Sequence, residues 1–518
     1  MLTAQELYNL GLSNERRGAI DRALHFYSSI IVSWPQEMAP YHRLSVLALQ
    51  RQDFSLALAW TDKAIAVNDS IAEIWNNRAL ALAQLGRTNE AERSFERAIA
   101  IRSDNWEGYY NLGRMFIVEK RFAEAEPVLQ KAAELDPHSA PTWNNLGLVF
   151  HELYRYPEAI AAFDIAIELV PDYVEAISNK ASSLYFAHAL AESEALFRSA
   201  IAIAPQNAEL HYGLGSVLLT SGKLQEGFSE HEWRWKSPEK PAMWNPNRPL
   251  WNGEPLAGRT LLLWPEQGLG DTIQFIRYLP DLAKMDCELL VKVPDELYRL
   301  FMASFSHTNV RFIHTEAKVP DFDLHVPLMS LPRILGETYE AMRMFKPYLR
   351  ARGAEIDEWR KKLKSMMPPE NRKKRRIGIA WSGSPKHPMD RNRSMTWETF
   401  QPVIDAHKRK FQFFSLQPGR KPEDPYVIDL GEFLRDYATT AAIVSNLDHI
   451  ITVDTSLLHL ASSMGKRTWA MLFHLPDWRW RIDDEQSPWY PLLLLIAQKH
   501  PGVWDDVIGD VKESLALE

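Results

Sequence analysis

The chain has 518 residues, 46% of them hydrophobic and 24% charged, which excludes wholesale disorder and, at ~150 residues per domain, leads us to expect three to four domains. A formal net charge of −8 argues against a dedicated nucleic-acid binder, whose phosphate contacts need a basic surface. The single cysteine, Cys287, excludes an internal disulfide and a multi-cysteine zinc site.

The chain opens on MLTAQELYNL, without the basic stretch and apolar core of a secretory signal. No apolar run approaches the ~20 residues of a membrane span, so the expectation is a soluble, cytoplasmic protein with no membrane span. A period then governs the first half. Prolines stand at 137, 171 and 205, a spacing of 34. Large residues recur at Leu7, Tyr41, Trp75, Tyr109, Trp143, Ile177 and His211, each followed by a Leu-Gly pair or a relaxed version of it, such as Leu10-Gly11, Leu112-Gly113 and Leu146-Gly147. Small residues recur at Ala23, Ala57, Ala91, Ala125, Ala159, Ser193 and Gly227. Each period has room for two helices that approach over the small residues, and proline ends the second helix because it lacks an N–H. One such pair cannot bury its apolar face alone, so neighbours stack into a superhelix with a concave face. This pattern resembles the tetratricopeptide repeat, seven times over roughly residues 4–240. The resemblance implies a groove that holds a polypeptide, against the alternative of a scaffold that stacks only on itself. The last copy departs after Gly227, where HEWRWK replaces the usual second-helix pattern, as a cap or a joint.

Residues 236–255 hold prolines at 238, 241, 246, 249 and 255, a density that rules out a helix. Trp244 and Trp251 within it argue for a packed connection, since a free linker has little use for exposed indole.

From Arg259 the period changes. Thr260–Trp264 reads as a buried strand, Thr272–Ala283 as a helix, and Glu288–Val293, Val310–Ile313 and Phe322–Val326 as further strands, with a helix over Pro294–Ala303. After the charged stretch Arg360–Arg376, strands are expected at Ile377–Trp381, Phe411–Leu416, Ile450–Val453 and Thr468–Phe473. Helices are expected at Trp397–Lys408, Thr439–Asn446 and Ser456–Met464. The basic run Arg372–Arg376 reads as a solvated loop between domains, not a nucleic-acid patch. Alternating strands and helices imply parallel sheets, which bind ligands outside the carboxyl ends of their strands.

Three loops at such ends carry chemistry. Gly268-Leu269-Gly270-Asp271 offers two glycines for close backbone approach and an aspartate that either faces a cleft or merely caps a helix, a cap alone stabilising by ~1 kcal/mol. In Asp454-Thr455-Ser456-Leu457-Leu458-His459, a helix start offers hydroxyls and free N–H groups to an anion, with His459 one turn on. The loop Trp381–Ser394 is rich in hydroxyls and cations that suit a diphosphate, Ser382, Ser384, Lys386, His387, Arg391 and Arg393, with Gly383 between the two serines. Gln417 ends the neighbouring strand at the same rim.

Residues 255–500 resemble bacterial two-lobed glycosyltransferases close to the heptosyltransferase superfamily (family 9-like), on the segments QGLGDTIQFIRYLP, IAWSGSP, SLQ, VDTSLLHLASSMGK and LPDWRWRIDDEQSPWYP. Joined to the repeats, they resemble bacterial repeat-fused protein glycosyltransferases, including those implicated in flagellin glycosylation, and share a layout with the eukaryotic protein O-GlcNAc transferases. The fold so implied is an α-solenoid of tetratricopeptide repeats (1–240) followed by an α/β GT-B fold of two Rossmann-like lobes. The acceptor-side lobe would span 241–355 and the nucleotide-sugar-binding lobe 356–518.

The implied activity is metal-independent transfer of a sugar from a nucleotide-sugar donor to a Ser or Thr of a protein acceptor held by the repeats, with no separate cofactor. Asp271 is the implied general base and Gly268 and Gly270 the backbone of its loop. The implied donor-binding set is Ser382, Gly383, Ser384, Lys386, Arg391, Arg393, Gln417, Asp454, Thr455, Ser456 and His459. Ser456 stands where the family has glycine, and Arg391 and Arg393 replace or reinforce Lys386. The alternatives are a glycan or lipid glycosyltransferase that docks through its repeats, a non-catalytic scaffold, and a nucleotide-sugar epimerase.

Overall fold

The computed structural model describes residues 2–237, 244, 247–343, 346–386, 390–481 and 485–518. The chain divides into two compact units, Met1–Leu196 and Phe197–Glu518.

In the first unit the period of 34 becomes helix pairs. Ala4–Arg16 pairs with Ile20–Ser33, Met38–Gln50 with Phe54–Val67, Ala72–Gln84 with Thr88–Ile101, Trp106–Val118 with Phe122–Leu135, and Ala140–Glu152 with Tyr156–Leu169. Val174–Phe186 and Leu190–Ile203 are the next two helices in the chain. The small residues are where the helices meet: Ala23, Ala57, Ala91, Ala125 and Ala159 are fully buried. A Cβ on Gly113 would fall 2.5 Å from the Leu129 side chain and one on Gly147 2.6 Å from the Phe163 ring. The large residues opening the repeats also tie down the preceding turn. Tyr41 Oη donates to the Pro35 carbonyl (3.3 Å), Trp75 Nε1 to Asp69 (2.7 Å) and Trp143 Nε1 to Pro137 (2.9 Å). Arginines at the starts of second helices stitch neighbouring repeats: Arg121 bonds Glu92 and Glu124, and Arg155 bonds Glu126 and Glu158.

The turn inside each repeat has a second periodic feature. Gly18, Gln52, Gly86, Lys120, Tyr154 and His188 all hold φ between 57° and 74°, the left-handed cap that ends a helix. Lysine in that region is strained by roughly 1–2 kcal/mol, and glycine costs part of this back through unfolded-state entropy. Lys120→Gly is therefore expected to stabilise the first unit by about 0.5–1 kcal/mol, read as a raised Tm.

The second unit begins with a seventh pair, Ala208–Thr220 and a second helix cut to eight residues, Leu224–His231, which passes into a 3-10 turn, Glu232–Trp235. Two parallel sheets follow. The first contains β1 (Arg259–Trp264), β2 (Cys287–Val293), β3 (Val310–His314) and β4 (Leu324–Pro327) in the order β3-β2-β1-β4. The second contains β5 (Arg375–Ala380), β6 (Phe411–Ser415), β7 (Val427–Asp429), β8 (His449–Val453), β9 (Thr468–Leu472) and β10 (Leu493–Ala497) in the order β10-β9-β8-β5-β6-β7. Every strand pair is parallel, and the central strands are buried on both faces, as Leu261, Leu262 and Leu263 of β1 show. The region is thus α/β, and no helix among the described residues is long and apolar enough to cross a membrane.

Four sequence expectations need correction. The helix expected over Thr272–Ala283 is broken into Leu269–Phe275, a 3-10 turn Ile276–Tyr278 and Leu279–Leu282, because Pro280 has no N–H to donate. The basic run Arg372–Arg376 is only in part a loop: Arg375 and Arg376 begin β5, where Arg375 pairs with Glu518 and the Arg376 N–H with Asp448. Strands β7 and β10 were not expected, being short or flanked by turns. Nor were the helices Gly353–Met366 and Asp505–Leu517. In the proline-rich joint, Trp251 is buried and its Nε1 donates to the Glu254 carbonyl (2.8 Å), while Trp244 lies edge-on to Trp264. Pro238, Pro241 and Pro246 lie outside the described residues.

Candidate functional site

Two helix starts meet in the second unit. The chain leaves β1 at Trp264, turns through Gly268 and begins the helix Leu269–Phe275; it leaves β8 at Val453 and begins the helix Ser456–Ser463. They touch where side chains are smallest: a Cβ on Gly270 would lie 3.0 Å from the His459 ring and 3.5 Å from Ser456 Cα. Gly268 has ordinary extended backbone (φ −65°, ψ 170°), and a Cβ there would meet only Asp271 Oδ2 at 3.6 Å, so its position does not require glycine.

Asp271 is the third residue of its helix and both carboxylate oxygens are engaged. Oδ2 accepts the Gly268 N–H (3.2 Å), which caps the helix, and Oδ1 accepts Arg479 Nη2 (2.5 Å). Arg479 is buried, with its Nε donating to Gln274 Oε1 (2.6 Å) and Nη1 to Asp477 Oδ1 (2.7 Å). Burial disfavours its charge, but the carboxylates of Asp477 and Asp271 more than offset this and hold the guanidinium above its ordinary pKa.

His459 is 5% exposed, with Nδ1 3.1 Å from Tyr490 Oη and its ring 5.4 Å from that of Trp480. Burial, aided by the Arg479 charge, pushes its pKa down to about 3, so it is neutral near pH 7. Thr455 is an extended N-cap (φ −144°, ψ 173°) whose side chain caps nothing, and Ser456 Oγ bonds Tyr437 Oη. This leaves the first-turn amides of the helix without a side-chain cap, as an anion site requires.

Asp454 is half-buried. Its Oδ2 accepts Trp480 Nε1 (2.8 Å) and its carbonyl accepts Arg393 Nη1 (3.0 Å). Burial, with Asp477 adding repulsion, raises its pKa to about 6 against the pull of Trp480, Arg479 and Arg393. Gly383 lies flat against Arg393: a Cβ would fall 2.8 Å from the guanidinium and from Asp390 Oδ1. The Gly383 N–H donates to Ser394 Oγ (2.8 Å). Gln417 Oε1 accepts the N–H groups of Trp381 (3.2 Å) and Ser382 (3.0 Å), which fixes the loop leaving β5. Ser382 Oγ is buried with no partner among the described residues.

Gly270, Asp271, Asp454, Ser456 and His459 therefore converge, with Gly383 and Arg393 joined through Asp454. Ser384 and Lys386 instead lie on an exposed turn, where the Lys386 N–H donates to Ser384 Oγ (3.4 Å), and Arg391 is exposed. His387, Pro388 and Met389 lie outside the described residues. Arg479, Asp477, Trp480, Tyr490, Gln274 and Asp390 were missed. Their signal was the alternation Trp478-Arg479-Trp480-Arg481, in which charge alternates with the largest apolar side chains.

Gly270→Ala is expected to destabilise the second unit by about 1–3 kcal/mol, because the ring it presses is pinned by Tyr490 and Trp480. Gly268→Ala serves as the near-neutral control; equal melting temperatures for the two variants contradict the packing argument.

The tetratricopeptide repeat family model matches residues 42–105, 76–140, 121–174 and 178–232. Protein FlbA of Caulobacter vibrioides is 27% identical over 344 residues, covering 60% of this chain and 55% of FlbA, so the chain spans about half the length of that curated relative. An uncharacterized protein of Methanocaldococcus jannaschii is 35% identical over 71 residues, 14% of this chain and 83% of that protein. Among solved structures, YrrB, described as a TPR protein with an unusual peptide-binding site, is 22% identical with a TM-score of 0.31, covering 35% of this chain and 92% of YrrB. PilF of Pseudomonas aeruginosa is 21% identical with a TM-score of 0.35, covering 38% of this chain and 89% of PilF. Residues 42–174 and 178–232 therefore carry tetratricopeptide repeats.

Proposed function

We propose that the protein is a glycosyltransferase that moves a sugar from a nucleotide-sugar to a Ser or Thr hydroxyl of a protein acceptor, such as a flagellin, held by the repeats in the cytoplasm. In this reading residues 1–240 present the acceptor, 241–355 form the acceptor-side lobe and 356–518 the donor lobe of a GT-B fold.

The observation that supports it is the meeting of two helix starts over Gly270 and His459, with Asp271 at one and uncapped amides at the other. The donor diphosphate would lie at the start of the helix Ser456–Ser463, where its amides and the Arg393 guanidinium stabilise the departing phosphate. Asp271 would take the proton of the acceptor hydroxyl as that oxygen attacks the anomeric carbon and the bond to the phosphate breaks. Neutral His459 would pack the floor without adding charge. The tetratricopeptide repeats support a protein partner.

A second reading, a non-catalytic interaction protein, draws on the engagement of both Asp271 oxygens. One experiment separates them: thermal shift with CMP, UDP, GDP and ADP, followed by sugar transfer from the matching nucleotide-sugars. A nucleotide that binds only the native protein raises Tm with its affinity. No shift with any nucleotide, and no turnover, would leave the second reading.

A further inference from the structure

We infer that the seventh repeat belongs to the reaction machinery, with Arg234 the positioning residue of the Gly268–Asp271 loop; the inference rests on the glycosyltransferase reading only for what that loop does. HEWRWK, the segment that breaks the repeat pattern, is where the contact is made. The Arg234 side chain is 2% exposed and forms a two-pronged ion pair with Glu266, Nε to Oε2 at 2.6 Å and Nη2 to Oε1 at 3.0 Å. The Glu266 side chain is also 2% exposed. Nη1 donates to the His231 carbonyl (3.0 Å) and Glu232 Oε1 (2.8 Å), and Nη2 also to Ser330 Oγ (3.1 Å). All five guanidinium N–H groups are thereby used, an arrangement lysine cannot reproduce. Glu266 in turn accepts the Met329 N–H (3.2 Å) and stands two residues before Gly268.

The same repeat also supports the other half of the site. Phe228 and His231 pack edge-on against Trp478, the neighbour of Arg479. One short helix and its 3-10 turn thus brace both the loop that carries Asp271 and the segment that supplies its ion-pair partner. A buried, fully bonded ion pair adds little net stability but fixes geometry, which suits a positioning role. The inference also gives a reason for the truncated second helix: its last turns are replaced by the segment that reaches Glu266.

The test uses the full chain with Arg234→Lys and with the double variant Arg234→Met/Glu266→Met, which leaves no buried charge stranded. Hydrogen exchange is followed at residues 266–272 and, as an internal reference, at β8 and β9. Turnover is measured with UDP-, GDP-, CMP- and ADP-linked hexoses. In both variants the loop amides are expected to exchange about ten-fold faster with β8 and β9 unchanged. With the donor that the wild type uses, kcat is expected to fall by up to about 10²-fold while KM for that donor holds. Wild-type exchange at 266–272 in the double variant, or a KM rise with kcat intact, overturns the inference. A wild type that turns over no nucleotide-sugar defeats the glycosyltransferase reading instead, and the exchange result then decides the positioning role alone.

Discussion

Asp271→Asn should lower sugar transfer in the proposed reaction ~10²–10⁴-fold and lower the melting temperature as well, because its carboxylate also pairs with buried Arg479. Asparagine keeps the shape and one oxygen for the Gly268 N–H, so the helix start survives, but its NH2 then faces the Arg479 guanidinium and the proton acceptor is lost. Arg479→Met should cost more in stability. It strands Asp271 and Asp477 beside a buried apolar side chain and leaves Gln274 Oε1 without its donor. Breaking a buried pair in this way costs about 3–5 kcal/mol. Arg479→Lys keeps the charge but not the three directions in which the guanidinium donates, and should fall between. Transfer assays and thermal melts on these three variants check the pattern; full activity in Asp271→Asn removes that residue from the chemistry.

Acid should be the second large perturbation. His449 is 2% exposed, neither of its ring nitrogens has a partner among the described residues, and burial pushes its pKa down to about 3. His459 is held at about 3 as well. Both take up a proton near pH 6.5 when unfolded. Between pH 6.5 and 3 the unfolded chain therefore binds more protons, and stability falls as pH falls, by up to ~1.4 kcal/mol per pH unit for each histidine. Asp454 runs the other way. Its folded pKa of about 6 lies above the ordinary value of 3.8, so between those limits the folded state holds the extra proton and offsets one histidine. The loss should thus be shallow from pH 6 to 4 and steeper below. His449→Leu should flatten the curve relative to wild type by several kcal/mol at pH 3.5, read as the difference in Tm across a pH series. Parallel curves for the two proteins would show that His449 is not a source of the acid sensitivity.

The repeats were legible because their physics is local and recurs. An alanine at 57 or 125 must be small for the same reason each time, and the spacing averages out the exceptions. The left-handed turns at Gln52, Lys120, Tyr154 and His188 escaped notice because only three of their seven equivalents, Gly18, Gly86 and Gly222, show the residue that the backbone prefers. The loops bearing Asp271 and Asp454 were also legible, since a run of apolar residues ending in polar ones marks the end of a buried strand. Their partners were not. Arg479 lies 208 residues from Asp271 and Arg234 lies 32 from Glu266, and no periodicity connects them. The resemblance implied Lys386, with Arg391 and Arg393 to replace or reinforce it; Arg393 reaches the Asp454 carbonyl because Gly383 gives it a flat surface to lie on.

The all-parallel pairing has a kinetic consequence. In the first unit partners sit within a period or so of each other, whereas β1 must find β4 from Leu261 to Leu324 and β5 must find β8 from Ile377 to His449. Chains rich in near-neighbour pairings collapse to their native form in microseconds to milliseconds, and those that wait on distant strand pairing are orders of magnitude slower. During synthesis the helical array leaves the ribosome first. Its short-range pairings should therefore form while the strands behind it are still assembling.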